Sequence, residues 1–245
     1  MTALPSPRRV VSLVPSLTEA IALTCPGVLV GATDWCTHPV GLDVVRVRGT
    51  KNPDLAAVTA LLPDLVVVNR EENRVEDVEA LRRAGLAVWV TDPETVPEAL
   101  TQLGELLAAL GASRVDWLEQ ARAVWRTPWA SSRSSAVVPI WRRPWMALGR
   151  DTFAGDLLAR LGVDHVFAAA SERYPRFDPL ELGPVDLVVL PDEPYAFGAD
   201  DGPEAFPGLP TALVSGRHLT WYGPSLVDAH DVVRTQLDHA VVRVR

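Results

Sequence analysis

Two short apolar runs, Leu65–Val68 and Leu187–Leu190, constrain this chain most, because each is entered through a proline and an aspartate: Pro63-Asp64 before the first, Pro184-Val185-Asp186 before the second. Four apolar side chains in a row cannot alternate between core and solvent. Such a run reads as a strand covered on both faces, the habit of parallel sheets. The echo between the two runs points to two similar lobes. Around the first lie strand patterns at Val10–Val14, Val28–Ala32 and Leu86–Val90, with helical patterns at Thr18–Leu23, Leu55–Leu62 and Val75–Ala84. Around the second lie strand patterns at Ala136–Ile140 and Thr211–Val214, a helix over Thr152–Leu161 stopped by Gly162, and a closing helix over Leu226–Val241. Strands alternating with helices imply βαβ units.

The stretch between the lobes has no strand pattern. Leu100, Leu103, Leu106, Leu107 and Leu110 form one helical stripe, which Val115, Leu118, Ala121 and Val124 continue past Gly111. One long helix, or two in series, is expected there. The expected fold class is α/β, with two Rossmann-like lobes of parallel sheet joined by a long backbone helix. The expected domains are an N-terminal lobe over 1–94, a linking helix over 95–126 and a C-terminal lobe over 127–245. Two lobes facing across a cleft make a natural ligand site, since pockets concentrate at domain interfaces.

Composition excludes several partners. The net charge is −8, and of 23 basic residues only Lys51 is a lysine. Nucleic-acid backbones and anionic membrane surfaces need a basic stripe, so neither is an expected partner. No apolar run approaches the length of a membrane span. The first residues show neither a secretory signal nor a lipid-anchor cysteine, so the sequence as it stands predicts a cytoplasmic location. Cys25 and Cys36 are too few for a disulfide framework, and a single bridge between them is left open.

The informative segments are loops that follow strands, where α/β sheets bind their ligands. They carry Trp35, Trp141, Trp145, Tyr195, Phe197, Trp221 and Tyr222. Aromatic surface on loops marks binding, or else caps the lobe cores. Cys36 and His38 supply two metal ligands, with His218 a third from the other lobe; a site needs three or four, so these are reserve candidates. Asp151 with Asp156, and Glu71 with Glu72, are carboxylate pairs that read as solvated faces. No nucleophile elbow, metalloprotease helix or phosphate-binding glycine loop is present, so no enzyme and no catalytic residue is expected.

The strings Arg9–Glu19, Val30–Asp34, Lys51–Leu55 and Leu62–Val66, followed by Gly149–Phe153, Asp156–Gly162, Tyr174–Arg176 and Leu190–Pro194, resemble the helical-backbone metal receptor superfamily, closest to its cobalamin-binding branch. The resemblance runs from about residue 8 to the C-terminus. It implies a monomeric two-lobed clamp that holds a small metal chelate and hands it to the permease dimer of an ABC importer. The bound ligand would be cobalamin or another corrinoid or tetrapyrrole, with no intrinsic cofactor. By position, Pro15, Ser16, Asp34, Trp35, Lys51, Asn69 and Arg70 would contact it from one lobe. Trp141, Trp145, Asp151, Tyr195, Trp221 and Tyr222 would do so from the other. Glu76 and Glu181 would dock the permease. Family members work outside the cytoplasmic membrane, which stands against the location read from the first residues. The alternatives are a cytoplasmic corrinoid- or haem-handling protein or enzyme, and a receptor for bare Zn²⁺ or Mn²⁺.

Overall fold

A computed structural model describes residues 6–127 and 133–242. The chain forms two compact units. One is built from the chain up to Asp92, from Ala99–Glu119 and from Tyr222–Pro224; the other from Pro93–Glu98, Gln120–Trp221 and Ser225 onward.

The first unit carries, in chain order, β1 (Val10–Ser12), α1 (Pro15–Thr24), β2 (Leu29–Ala32), β3 (Val45–Arg46), the hairpin β4 (Arg48–Gly49) and β5 (Asn52–Pro53), α2 (Leu55–Ala60), β6 (Leu65–Asn69), α3 (Val75–Arg83) and β7 (Val88–Thr91). Its sheet runs β3-β2-β1-β6-β7, every pair parallel. Val66, Val67 and Val68 are fully buried, as a continuous apolar run on a central strand requires. Helix starts follow local chemistry. Pro15 occupies the first turn of α1, where its missing N–H costs nothing. Asp54 caps α2 by accepting from Ala57 N at 3.0 Å. Glu76 and Asp77 open α3, and Arg82 and Arg83 close it, each sign at the dipole end it favours.

In chain order between the two sheets, α4 (Val96–Ala109) and α5 (Asp116–Val124) follow in series. Gly111, at φ +93°, ends the first of them.

The second unit holds β8 (Ser134–Val137), β9 (Pro139–Trp141), β10 (Met146–Ala147), α6 (Phe153–Arg160), β11 (Val163–His165), β12 (Leu187–Pro191), β13 (Pro210–Val214), α7 (Gly216–Thr220), α8 (Ala229–Asp238) and β14 (Val241–Val242). Its sheet order is β11-β8-β12-β13-β14, in which the first four strands repeat β2-β1-β6-β7 of the first unit. All pairs are parallel except β13–β14. The repeated aspartate has the same task in both. Asp64 accepts from the backbone N–H of Arg8 and Arg9, and Asp186 from the N–H and hydroxyl of Ser135. Each carboxylate thus pins the start of its unit's first strand beside the central one, and the Ser135 bonds hold the Asp186 carboxyl below the usual range.

Three expectations need correction. The run Ala136–Ile140 is not one strand: the sheet strand ends at Val137, and Pro139–Trp141 leaves it to pair with Met146–Ala147 in a separate hairpin. Proline has no N–H for a central ladder. The closing helix does not reach Val241; it stops at Asp238, and the β-branched pair Val241–Val242 joins the sheet edge beside β13. Trp221 and Tyr222, expected on a loop that follows a strand, instead follow the short helix α7, which includes Arg217–Thr220.

His165, at the end of β11, is 9% exposed, and a Cβ on Gly155 would lie 2.7 Å from its Nε2. Burial lowers the pKa of this imidazole from an ordinary 6.5, against a backbone hydrogen bond with Leu148 and the charge of Asp164, which raise it. Its Nδ1 bonds no described residue. The folded state therefore holds the ring neutral at a pH where the unfolded chain has protonated it. Stability should be complete above about pH 6.5 and fall as pH drops below it, because the unfolded state there binds the extra proton. Denaturant midpoints taken from pH 8 to 5 check this, and His165→Gln should flatten the decline.

Candidate functional site

In the first unit the loop after β2 is fastened from several sides. Asp34 N donates to Arg48 O at 2.8 Å, tying the loop to the β4–β5 hairpin. The Arg46 guanidinium donates to Thr33 O at 3.0 Å and Cys36 O at 2.9 Å. Cys36 is fully buried, with its sulfur 3.1 Å from the hydroxyls of both Thr18 and Thr33. Burial pushes its thiol up, away from metal-binding thiolate character. The turn so fixed presents Trp35, which is 66% exposed. Gly49 leaves room beside the indole, since a Cβ there would lie 3.3 Å from Trp35 Nε1. That N–H donates to no described residue. Asp34 is exposed beside it.

The loop after β6 is organised by two buried asparagines. Asn73 donates to Leu13 O and Thr50 O, and its Oδ1 accepts from Asn69 N at 2.9 Å. Asn69 Oδ1 accepts from Glu71 N and Glu72 N; its Nδ2 donates to Thr91 O and, at 2.6 Å, to the Tyr222 hydroxyl. The hydroxyls of Tyr222 and Thr91 are 2.8 Å apart. Burial drives the Tyr222 phenol well above its usual range, so it stays protonated. A Cβ on Gly223 would sit 3.0 Å from Ser16 O, which packs this returning segment against the start of α1. Ser16, Asn69 and Tyr222 thus come together as framework, with half-buried Pro15 at the rim. Lys51, exposed, donates to Glu71 O, and Arg70 pairs with Asp92 at 2.8 Å.

In the second unit Trp145 is core more than surface. It stacks on Phe197 with ring centroids 5.8 Å apart and meets Phe206 edge-on at 5.5 Å. Trp141, at the end of β9, is 42% exposed and lies edge-on to Tyr195 at 5.7 Å. Its indole N–H donates to no described residue. Tyr195 donates to Asp201 at 2.6 Å, a bond that holds the Asp201 carboxyl below its usual range; Arg142 adds to the effect and also pairs with Glu204. Trp221 is 9% exposed, and its Nε1 donates to Glu193 at 2.8 Å. Asp151 is exposed, at φ +52°, and pairs with Arg150. Asp156 caps α4 by accepting from Val96 N and holds Arg160, which leaves no free acid–base pair with Asp151.

Glu76 and Glu181 are exposed, each beside an exposed apolar residue: Val75 at 65% and Leu180 at 89%. Glu181 lies in a single 3₁₀ turn, Pro179–Glu181.

Ser215, His218 and Asp228 align in the manner of a hydrolytic triad, a row that sequence reasoning misses because it looks for an elbow motif. His218 Nδ1 is 2.8 Å from Ser215 Oγ, and its Nε2 is 3.6 Å from Asp228. The row is a helix start: Ser215 is the residue before α7, and His218 reaches back three positions to it. The amide that would receive an oxyanion, Gly216 N–H, donates to Asp192 at 2.6 Å instead. Cys25 and Cys36 are free thiols, which closes the disulfide question. Among the described residues, no three His, Cys, Asp or Glu side chains gather as a metal ligand set, and no helix is long and apolar enough to cross a membrane.

No family model matches the chain, and no curated protein matches its sequence. Solved structures do match in fold. The periplasmic vitamin B12-binding protein BtuF of Vibrio cholerae superposes with a TM-score of 0.71 at 16% identity, over 95% of this chain and 97% of that one. A periplasmic heme-binding protein from Pseudomonas aeruginosa gives 0.72 at 21% identity, over 97% and 95%. CeuE of Helicobacter pylori with Ni(II) bound gives 0.79 at 12% identity, over 97% and 85%. Two units of one repeated sheet topology, with α4 and α5 following in chain order between their central strands, match these proteins along nearly the whole chain, which therefore shares their fold.

Proposed function

We propose that this chain is a non-enzymatic receptor for a metal chelate, cobalamin or a related tetrapyrrole, working with an ABC-type permease. The observation that carries the reading is the pair Trp35 and Trp141. Each stands on a loop or hairpin beyond a strand end, each is substantially exposed, and neither indole N–H is bonded to a described residue. Three of the other tryptophans give theirs to partners within the protein, Trp117 to Thr24, Trp125 to Leu226 O and Trp221 to Glu193, and Trp145, which packs against Phe197 and Phe206, is less exposed than Trp35 and Trp141. A flat macrocycle offers faces for such rings and peripheral acceptors for such donors. The rigid bonding behind Trp35 supports the same reading, since a pre-organised contact loses little entropy on binding. Fold neighbours that bind vitamin B12, heme or nickel make these the compounds to try first.

The test is a titration of the purified chain with cyanocobalamin, hemin, Ni²⁺ with histidine, Zn²⁺ and Mn²⁺, read by tryptophan fluorescence. Saturable binding of a chelate with Kd in the micromolar range or tighter, about −8 kcal/mol, is expected, with the compound recovered unchanged. Binding of Zn²⁺ or Mn²⁺ alone would favour the bare-ion receptor, and chemical conversion of the compound would favour an enzyme. For the transport role, Glu76 and Glu181 are proposed as docking residues, each with its exposed apolar neighbour. Reversing both to lysine should leave the titration unchanged and abolish ligand-dependent uptake, since rim charges set register and encounter.

A further inference from the structure

We propose that Arg143 is an anion-recognition residue, and that the chelate this chain binds therefore carries a carboxylate or phosphate at its edge. The inference rests on the receptor reading above and adds to it the charge of the ligand. Arg143 stands in the turn between β9 and β10, two residues after the exposed Trp141 and two before the stacked Trp145. Its neighbour Arg142 is compensated twice over, by Asp201 and Glu204, and lies over the Trp145 ring at 5.1 Å. Arg142 is a structural cation whose charge is spent. Arg143 is exposed and pairs with no acid among the described residues, in a chain whose net charge is −8. Its backbone adopts φ +67°, a left-handed conformation that favours glycine over an arginine. Side chains persist in such conformations when the surrounding structure over-determines them, often where a site needs a group aimed in one direction. The arginine's charge also reaches Tyr195 and Asp201, which places it at the same end of the unit as the Trp141–Tyr195 pair. A guanidinium fork two residues along the same turn from an exposed indole is suited to a flat ligand with an anionic edge: the indole takes the face, the fork takes the oxyanion.

Ligand pairs that differ in that anion provide the test, the haem pair in the carboxylates alone and the corrinoid pair in the whole nucleotide that carries the phosphodiester. Hemin carries two carboxylates and its dimethyl ester none; cyanocobalamin carries a phosphodiester and dicyanocobinamide none. Wild type, Arg143→Gln and Arg143→Gly are titrated with all four, and a thermal melt accompanies each protein. Glycine suits the left-handed turn, so that variant keeps the fold even if glutamine strains it. The expected result is a loss of about tenfold to a hundredfold in affinity for the anionic member of whichever pair wild type binds, the size of a charged hydrogen-bonding contact. Its neutral counterpart should bind both variants as it binds wild type. The pair that responds tells a carboxylate edge from a phosphate edge. Equal losses for charged and neutral members, or no loss for either, would overturn the assignment while leaving the receptor reading intact. If wild type binds none of the four, the tetrapyrrole reading falls and the assignment of Arg143 falls with it.

Discussion

Replacing Asn69 with alanine is expected to lower the stability of the protein by about 3 kcal/mol, a drop of roughly 6–12 °C in Tm for a chain of this size. The residue is 3% exposed, and both ends of its amide are engaged. Its Oδ1 accepts from the N–H groups of Glu71 and Glu72, and its Nδ2 serves Thr91 O and the Tyr222 hydroxyl. Alanine leaves two loop N–H groups and a buried phenol short of partners at once. A buried polar group stripped of its partner costs about 1–3 kcal/mol, and several stripped together in one network put the loss at the upper end of that range. The resemblance implies a ligand contact at Asn69; its bonds to Glu71 N, Glu72 N and the Tyr222 hydroxyl favour a supporting role, which this variant tests. The variant should therefore melt early, and any loss of ligand affinity should follow from a loosened Arg70–Asn73 loop. Tyr222→Phe provides the check from the other side: a smaller loss of stability through the same partners. If Asn69→Ala melts as wild type does and only ligand binding fails, Asn69 touches the ligand and this division of labour is wrong.

The second large effect separates two tryptophans that look equivalent in the sequence. Trp221→Ala should cost about 3–5 kcal/mol of stability, the range for emptying a buried large aromatic position. Its ring is 9% exposed, its N–H is held by Glu193, and Arg217 lies over it at 5.8 Å. Trp35→Ala should change stability by no more than about 0.5 kcal/mol, because its ring is 66% exposed, and should weaken ligand binding by about 1–3 kcal/mol. Thermal melts and ligand titrations on both variants read the two effects independently. A stable Trp35→Ala protein with unaltered affinity would take Trp35 out of the binding surface, and the receptor reading would then have to stand on Trp141 alone.

Much of the fold is legible locally. Continuous valine runs mark strands buried on both faces, Pro-Asp pairs mark where those strands begin, and the Leu100–Leu110 stripe marks a helix with one covered face. Each of these signals lies within a few residues of what it specifies. The candidate residues are partly legible for the same reason, since loops after strands are where an α/β sheet binds. Arg143 is not legible in this way, because nothing local distinguishes it from Arg142. Only the contacts with Asp201 and Glu204, roughly sixty residues on, show that one charge is spent and the other open.

By itself, then, the sequence determined the central strands and the main helices, the repeated α/β pattern and most of the loops that carry the aromatics. Tertiary structure alone decided which aromatics are surface and which are framework, because that depends on partners far along the chain. Tyr222 returns to bond Asn69 across 153 positions, and Trp125 gives its N–H to Leu226 across 101. Tertiary structure also sent Val241–Val242 to the sheet edge in place of a helix end, since an open backbone edge beside β13 was there to be paired. A tryptophan's local pattern is the same whether its ring meets solvent or a glutamate folded back against it, and only the packed structure tells the two apart.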